Sequence, residues 1–574
     1  MESTVWPDTV EPGPSHHPIL SFYHRIQIRG VAELSTIIPT KQLPGISSLI
    51  EDYFYAFGKV DEFYNGDFRD PTAFQNQMEK VKSRTLPRKK VAATLKAQNQ
   101  KYGCGVKTQK NINKLLDQQT YAVVTGQQVG LFSGPLYTIY KTLTAIKLAQ
   151  YLNQNSEVCV VPIFWMASDD HDFQEINHIH ILDKNNQIQK IQYASETFAD
   201  RIPASNILLT SNIERCLQEL DVSTHDTEFK KDVLYDLSDA YQSGRSFADA
   251  FAVWMTRLFK SHGLIFMDAS HPDFKALGKQ VFHQEIAEDS PSTQQALEAS
   301  GKLHDKNYKS QIQLHDGILN VFFVDRQRQT IKIKDSDFYI KGIERAVTKT
   351  ELLDQVETSP HRFSPNVLLR PMYQDALLPT VAYIGGPSEI AYFAQMKGIY
   401  ECFNLPMPVV YPRKTVTLLE NRMDRILSRY ALTVPDMWQN VDRIITKIVK
   451  RQIPESIGDA LNAATSHIQQ DFASIKKEVA FFEPTLEQPV MRTLGKLNHQ
   501  LHALERKIQQ ASKNKNEVVT RQIQTVHNRL YPDNRLQERV FNIVPILMKH
   551  GYTVADRLIE AINIECHDHQ VIRL

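Results

Sequence analysis

A chain of 574 residues with 42% hydrophobic and 23% charged side chains is too long for one core and too apolar to be disordered throughout. Its 66 basic and 65 acidic residues nearly cancel, which argues against DNA or RNA as the main partner, because phosphate neutralisation calls for a basic excess. Five cysteines without a C-x-x-C pair, no basic segment leading into an apolar run, and no stretch of about 18 apolar residues predict free thiols in a reducing, cytoplasmic setting, with neither signal peptide nor membrane span.

In chain order, residues 1–16 read as a flexible tail, since Pro7, Pro12 and Pro14 withhold backbone donors. Residues 45–100 read mainly as helices, with apolar side chains at helical spacing in SSLIEDYFYAFGKVDEFY. The basic stretch 80–107 is either a solvated helix face or an anion-binding surface. Then come a short buried strand at 121–124, a helix at 136–152, a buried strand at 158–168 and a hairpin pairing 176–182 with 188–193. A helix at 246–262, a strand at 264–268, a hairpin of 318–324 with 330–333, and strands at 381–385 and 409–411 follow. This alternation predicts an α/β fold with a largely parallel sheet and helices on both faces.

From Ile457 the pattern changes. Ile457, Leu461, Ala464, Ile468, Phe472, Ile475, Val479 and Phe482 recur at intervals of three and four. After Pro484 and Pro489 a second set runs Leu494, Leu497, Leu501, Leu504, Ile508, Ala511. Two heptad seams separated by prolines predict an antiparallel coiled-coil hairpin with arms about 45 Å long at 1.5 Å per residue. Residues 536–558 return to mixed spacing and are expected to pack back on the core. The predicted division is a tail (1–16), a core with insertions (17–420), a helical arm (421–532) and a terminal segment (533–574).

Three segments carry candidate chemistry. The first, TGQQVGLFSGPLYTIYK at 125–141, follows a strand and opens a helix. Gly126, Gly130 and Gly134 permit tight turns and close approach of a ligand, and the helix N-terminus offers free N–H groups to an anion. Gln127, Gln128, Ser133, Tyr137 and Thr138 add neutral hydrogen-bonding groups, and Lys141 is long enough to reach a phosphate or carboxylate. This is neither a Walker A loop nor a G-x-G-x-x-G fingerprint, and a purely structural turn is the alternative.

The second, WMASDDHDFQEINHIH at 165–180, begins where a buried strand ends, which is where open α/β sheets bind ligands. Asp169, Asp170, Asp172 and Glu175 crowd His171, and such crowding needs a cation, a ligand or a shifted pKa. His171 reads as a general base or a cationic phosphate ligand. A divalent metal on Asp170, His171, Asp172, Glu175 and His178 is a competing reading, although no cysteine accompanies them and no standard zinc spacing is present. His178 and His180 fall on one face of a strand, with plain sheet histidines as the alternative.

The third, RPMYQDALLPTVAYIGGPSEIAYF from 370, repeats the arrangement of strand end, glycines and helix start. Arg370, Gln374 and Asp375 precede it as candidate substrate binders; Gly385, Gly386, Ser388 and Glu389 lie at the turn. Pro412-Arg413-Lys414-Thr415 is either a further anion site or a capped surface loop.

TGQQVGLFSGPLYTIYK, VPIFWMASDDHDFQEINHIHI, SPNVLLRPMYQDALLPTVAYIGGPSEIAYFAQ, LPMPVVYPRKT and the terminal LQERVFNIVPILMKHG together resemble the cysteine-adding enzymes of bacillithiol biosynthesis, essentially end to end. The resemblance implies a ligase joining the carboxyl group of L-cysteine to the amino group of glucosaminyl malate. It also implies a Rossmann-like core of the nucleotidyltransferase type, a homodimer through the coiled coil, and nucleotide binding near the arm, apart from the Rossmann pocket. Amide formation needs an activated carboxylate, and a synthetase-like route would form an acyl-adenylate from ATP or another nucleotide. On that route residues 126–141 form the cradle, with Gly126, Gln128, Gly130, Ser133, Gly134 and Tyr137 toward the nucleotide and Lys141, Asp170, His171 and Asp172 at the chemistry. Asp170, Asp172 or Glu175 would hold the cysteine ammonium, Gly385, Gly386 and Glu389 would close the other side over the sugar-malate, and Asn177, Arg370 and Gln374 would be further substrate binders. A metal-dependent hydrolase built on the Asp/His/Glu cluster, a non-catalytic coiled-coil scaffold and a tRNA-related role are the competing readings.

Overall fold

The computed structural model describes residues 35–194, 201–314, 316–335, 337–450 and 454–574; the tail expected at 1–16 lies outside them. At the centre is a five-stranded parallel sheet: β1 (Thr120–Gln127), β2 (Cys159–Met166), β3 (Ile265–Asp268), β4 (Thr380–Gly385) and β5 (Val409–Pro412). Its spatial order is β5-β4-β1-β2-β3, and every neighbouring pair is parallel. These strands are near-continuous apolar runs because helices cover both faces. The helix Leu136–Gln154 packs on β1 and β2 and buries residues all round its circumference. The chain starts at the middle of the sheet, builds outward through β2 and β3, then returns to add β4 and β5 on the other side. The reversal leaves a crevice between β1 and β4 at their carboxyl ends.

Two local readings need correction. β1 runs to Gln127 rather than stopping at 124, because Gly126 and Gln127 pair with Trp165 and Met166 of β2. The hairpin strand expected from 176 starts at His178, since Phe173–Ile176 forms one helical turn. His178 and His180 do share a face, with ring centroids 5.1 Å apart.

An insertion between β3 and β4 forms a four-stranded antiparallel sheet from Ile318–Val324, Arg328–Lys334, Asp337–Ile340 and Phe363–Pro365. Beyond β5, Val416–Leu419 pairs with His569–Arg573, which also pairs with Ser35–Ile38. From this second sheet the chain extends into two long helices, Glu455–Phe482 and Glu487–Lys515, which pack against each other about a turn at Pro484. The first has 28 residues, an arm of about 42 Å. Lys476 of the first arm pairs with Glu487 of the second at 3.4 Å, and Lys450, at the end of the preceding helix Val441–Lys450, pairs with Glu505 of the second arm at 3.5 Å. No described side chain from 454 to 518 is buried, because one partner helix covers only one stripe of each arm. At the tip Phe481 and Phe482 are 95% and 84% exposed. No helix among the described residues is long and apolar enough to cross a membrane.

Candidate active site

The crevice between β1 and β4 opens into a cavity of about 390 Å³. Gly126, Gln127 and Gln128 enter it from the end of β1, Trp165 and Ala167 from β2, and Tyr137 and Lys141 from the helix Leu136–Gln154. The opposite wall is Tyr383, Gly386, Glu389 and Tyr392, with Arg370 from the helix Arg370–Leu377. Arg413, just past β5, and Arg539, from the terminal segment, close the remaining side.

The cations in this wall are held in two different ways. Lys141, only 1% exposed, donates to Glu389 Oε2 at 2.6 Å, to Gln127 Oε1 at 3.3 Å and to the Gly126 carbonyl. Glu389 caps the helix Pro387–Phe393, accepting the Gly386 N–H at 2.8 Å and the Tyr383 hydroxyl at 2.6 Å. Burial alone would raise the Glu389 carboxyl, but Lys141, the Gly386 N–H and the Tyr383 hydroxyl hold it below the usual carboxylate range. Arg413 donates to Glu538 Oε1 at 2.6 Å with both side chains buried, and the other Glu538 oxygen accepts the Val416 N–H at 3.0 Å. Lys141 and Arg413 are therefore neutralised within the wall. Neither Arg370 nor Arg539 has a carboxylate partner among the described residues. Arg370 lies over the Tyr383 ring at 5.0 Å and donates to Gln374 Oε1 at 2.9 Å. Two guanidinium groups without a directly paired carboxylate thus face one cavity, a charge arrangement suited to an anion, with the Glu175 carboxylate at the same wall.

The acidic cluster after β2 is divided into separate pairs. Asp169 takes the buried Lys275 ammonium. Asp170 accepts Gln128 Nε2 at 2.7 Å and the His171 N–H at 2.7 Å, and lies 3.7 Å from Arg328. Gln128 Nε2 also reaches Glu175 at 2.9 Å. Burial and the neighbouring Arg328 hold the His171 imidazole below its ordinary pKa, so it stands neutral near pH 7. That state suits a proton acceptor, the first of the two roles expected for it above. Among the described residues no three His, Cys, Asp or Glu side chains are grouped to hold a metal ion.

Of the residues singled out from sequence, Gly126, Gln127, Gln128, Tyr137, Lys141, Glu175, Arg370, Gly386, Ser388, Glu389 and Arg413 line the cavity. Three others stand directly behind it: Gln374 bonds Arg370, the Gly385 carbonyl accepts the Arg413 N–H at 2.8 Å, and Asp170 holds Gln128. His171 lies beyond Gln128, with a quarter of its side chain exposed, and the exposed Asp172 follows it. Asn177 is buried at the root of the His178–Leu182 hairpin, away from the wall. Gly130, Ser133 and Gly134 are buried as well, and the expected phosphate cradle is filled by the chain itself. The Leu136 N–H at the helix start donates to the Phe541 carbonyl at 2.8 Å. Asn542 Nδ2 donates to the carbonyls of Phe132 and Gly134 at 2.9 and 2.6 Å. A methyl group on Gly130 would sit 2.9 Å from Gly134 Cα, so its glycine serves this loop packing. Lys141, expected to reach a ligand, has its three protons engaged within the wall.

Sequence reasoning missed Tyr383, Tyr392, Glu538 and Arg539 as parts of the site, and Lys275 and Arg328 as partners of the acidic cluster. Arg413 had been one of two readings for its loop, and here it lines the cavity. The adjacent Lys414 instead turns to the Cys566 carbonyl at 2.7 Å.

Comparison with known proteins agrees with this architecture. Residues 35–414 match the family profile described as the N-terminal Rossmann-like domain of bacillithiol biosynthesis BshC, and residues 416–574 match its C-terminal coiled-coil domain. The chain belongs to the BshC family. A Salinibacter ruber protein named "Putative cysteine ligase BshC" is 34% identical over 93% of this chain and 97% of its own length. Proteins of the same name from Solibacter usitatus and Bacillus cytotoxicus are 32% and 28% identical, over 94% and 92% of this chain and 99% and 98% of their own lengths. In BshC terms the cavity belongs to both domains: Arg370 and Arg413 come from the Rossmann-like domain, Glu538 and Arg539 from the coiled-coil domain.

Proposed function

We propose that this chain is a ligase of bacillithiol biosynthesis, joining the cysteine carboxyl group to the amino group of glucosaminyl malate in the cavity between β1 and β4. The observation that carries this reading is the pair of guanidinium groups, Arg370 and Arg539, facing one cavity without carboxylate partners. A malate-bearing substrate brings carboxylates, and an activating nucleotide brings phosphates; both fit a wall of this charge. The relatives, named as cysteine ligases, set the reaction class.

A nucleotide would supply the activation of the carboxylate, with Arg370 and Arg539 as the residues to hold its phosphates. Everything else falls to the chain's own side chains. Lys141–Glu389 and Arg413–Glu538 are fixed in advance, so the wall does not reorganise when charge enters it. Glu175, at the edge of the cavity beside Gln128, is suited to the cysteine ammonium. Amide formation requires the amine nitrogen to attack the activated carboxyl carbon, the carbon–oxygen bond to the leaving group to break, and one N–H proton to depart. We assign that proton to the neutral His171, which stands behind Gln128 rather than in the cavity wall and is therefore reached through an intervening group. The coiled-coil arms, nowhere buried among their described residues, support a homodimer along the seam, and the free thiols support a reducing, cytoplasmic setting.

His171→Ala and Arg370→Ala test this with purified protein supplied with cysteine, glucosaminyl malate and ATP. Product formation is expected to fall about 100-fold or more in each, with the thermal midpoint retained. Full activity in both variants overturns the assignment of this cavity.

A further inference from the structure

Arg370 is held in the cavity wall by groups that carry no charge. Its Nη1 donates to Gln374 Oε1 at 2.9 Å, its Nη2 lies 3.5 Å from the Tyr392 hydroxyl, and its Cζ stands 5.0 Å from the centre of the Tyr383 ring. Tyr383 and Tyr392 are themselves stacked on Phe393, at 5.0 and 5.3 Å between ring centres. Gln374 follows Arg370 by one turn of the helix Arg370–Leu377, the spacing at which a glutamate would form an ion pair with it. The Gln374 amide is fixed in one orientation: its Nε2 donates to Asp375 Oδ1 at 2.8 Å, so Oε1 is the atom left to face Arg370. Asp375 is held in turn by the Tyr400 hydroxyl on Oδ2 at 2.5 Å, and Gln374, Asp375 and Tyr400 are all fully buried. Glu389, in the same wall, is committed to Lys141 and the Gly386 N–H. The helix thus presents its buried carboxylate to Arg370 only through a neutral amide, which aligns the guanidinium without cancelling its charge.

We infer that Gln374, oriented by Asp375, is a positioning residue that aims the Arg370 guanidinium into the cavity and leaves its charge to a carboxylate of the incoming amine, so that a malate-bearing acceptor is selected over the bare amino sugar. The inference rests on the ligase reading for the identity of that acceptor. One hydrogen on each Nη remains beyond those turned to Gln374 and Tyr392, and a planar fork of two N–H groups matches the two oxygens of a carboxylate. A glutamate in place of Gln374 closes that fork on the protein itself; a methionine there keeps the charge and loses its aim. Arg370 thereby goes to the acceptor, which narrows the phosphate contacts to Arg539.

Titration calorimetry of the full-length protein with glucosaminyl malate, glucosamine and ATP, each added alone, tests it without turnover. Glucosaminyl malate is expected to bind the wild-type protein about ten-fold or more tightly than glucosamine does. Gln374→Glu is expected to weaken glucosaminyl malate about ten-fold and Gln374→Met about three-fold, with glucosamine and ATP affinities unchanged. In turnover the same variants are expected to raise KM for the malate-bearing acceptor rather than to lower kcat. Should Gln374→Glu fail to fold, Gln374→Met and the wild-type comparison decide. Three results overturn the inference: unchanged glucosaminyl malate affinity in every variant that folds, no preference of the wild-type protein for glucosaminyl malate over glucosamine, or a loss that falls on ATP instead. Absence of product alongside the expected affinities would remove the ligase reading and leave the role of Gln374 standing.

Discussion

Arg413 and Glu538 are both buried and bonded to each other, one from each domain of the family. Such a pair adds little net stability over an apolar replacement, but breaking it strands a charge in a low-dielectric setting. Glu538→Gln is therefore expected to destabilise the protein by about 3–5 kcal/mol, read as a lowered urea midpoint. An unchanged midpoint would show that Arg413 finds another counterion. At this scale the sequence was legible where a residue's neighbours in the chain declared its place. Gly386 and Glu389 follow an apolar strand at the start of a helix, and they do line the cavity. Arg539 gave no such signal: it sits in a short helical turn, Gln537–Val540, whose spacing says nothing about what it folds against. His171 was legible as a chemical group but not in its charge state, because Arg328 reaches it from a strand more than 150 residues further on.

The strand His569–Arg573 lies in the middle of the sheet formed with Ser35–Ile38 and Val416–Leu419, so its backbone is paired on both edges, and its first four residues are buried. His569 is fully buried, with Nε2 at 2.9 Å from the Thr417 hydroxyl. Burial lowers its imidazole to about 4, against an ordinary value of about 6.5 in the unfolded chain. Below pH 6.5 the unfolded chain binds a proton that the folded chain refuses, so stability falls as pH drops from 6.5 toward 4. Urea titrations at pH 6.5 and pH 5 are expected to show a loss of about 2 kcal/mol from this group, at about 1.4 kcal/mol per unit. His569→Gln should remove that slope, and a slope unchanged in this variant would place the acid sensitivity elsewhere. The core strands and the coiled-coil arms were the elements most legible in advance, because burial on two faces and a heptad seam each leave a repeating mark. The loop at 128–135 was not. Its glycines fit a phosphate cradle as well as a packed turn, and the deciding partner, Asn542, is about 400 residues away in the chain.

Over the whole molecule, one cavity draws its wall from the end of β1, the end of β4, the loop after β5 and a segment that returns beyond the coiled coil. The sheet order that creates the crevice was foreseen only as a parallel sheet, since strand alternation fixes the class and not the order of strands. The closing of the crevice by Arg539 makes the Rossmann-like core and the coiled-coil domain parts of one site. It leaves the long arms projecting with their apolar seam half covered. If this site adds cysteine in bacillithiol biosynthesis, the small-thiol pool of the cell depends on it. Mass spectrometry of small thiols in the source cells, with and without this gene, tests it most directly. Removal of the gene is expected to abolish bacillithiol and to let glucosaminyl malate build up. An unchanged thiol pool in cells with no second copy of the gene would contradict it.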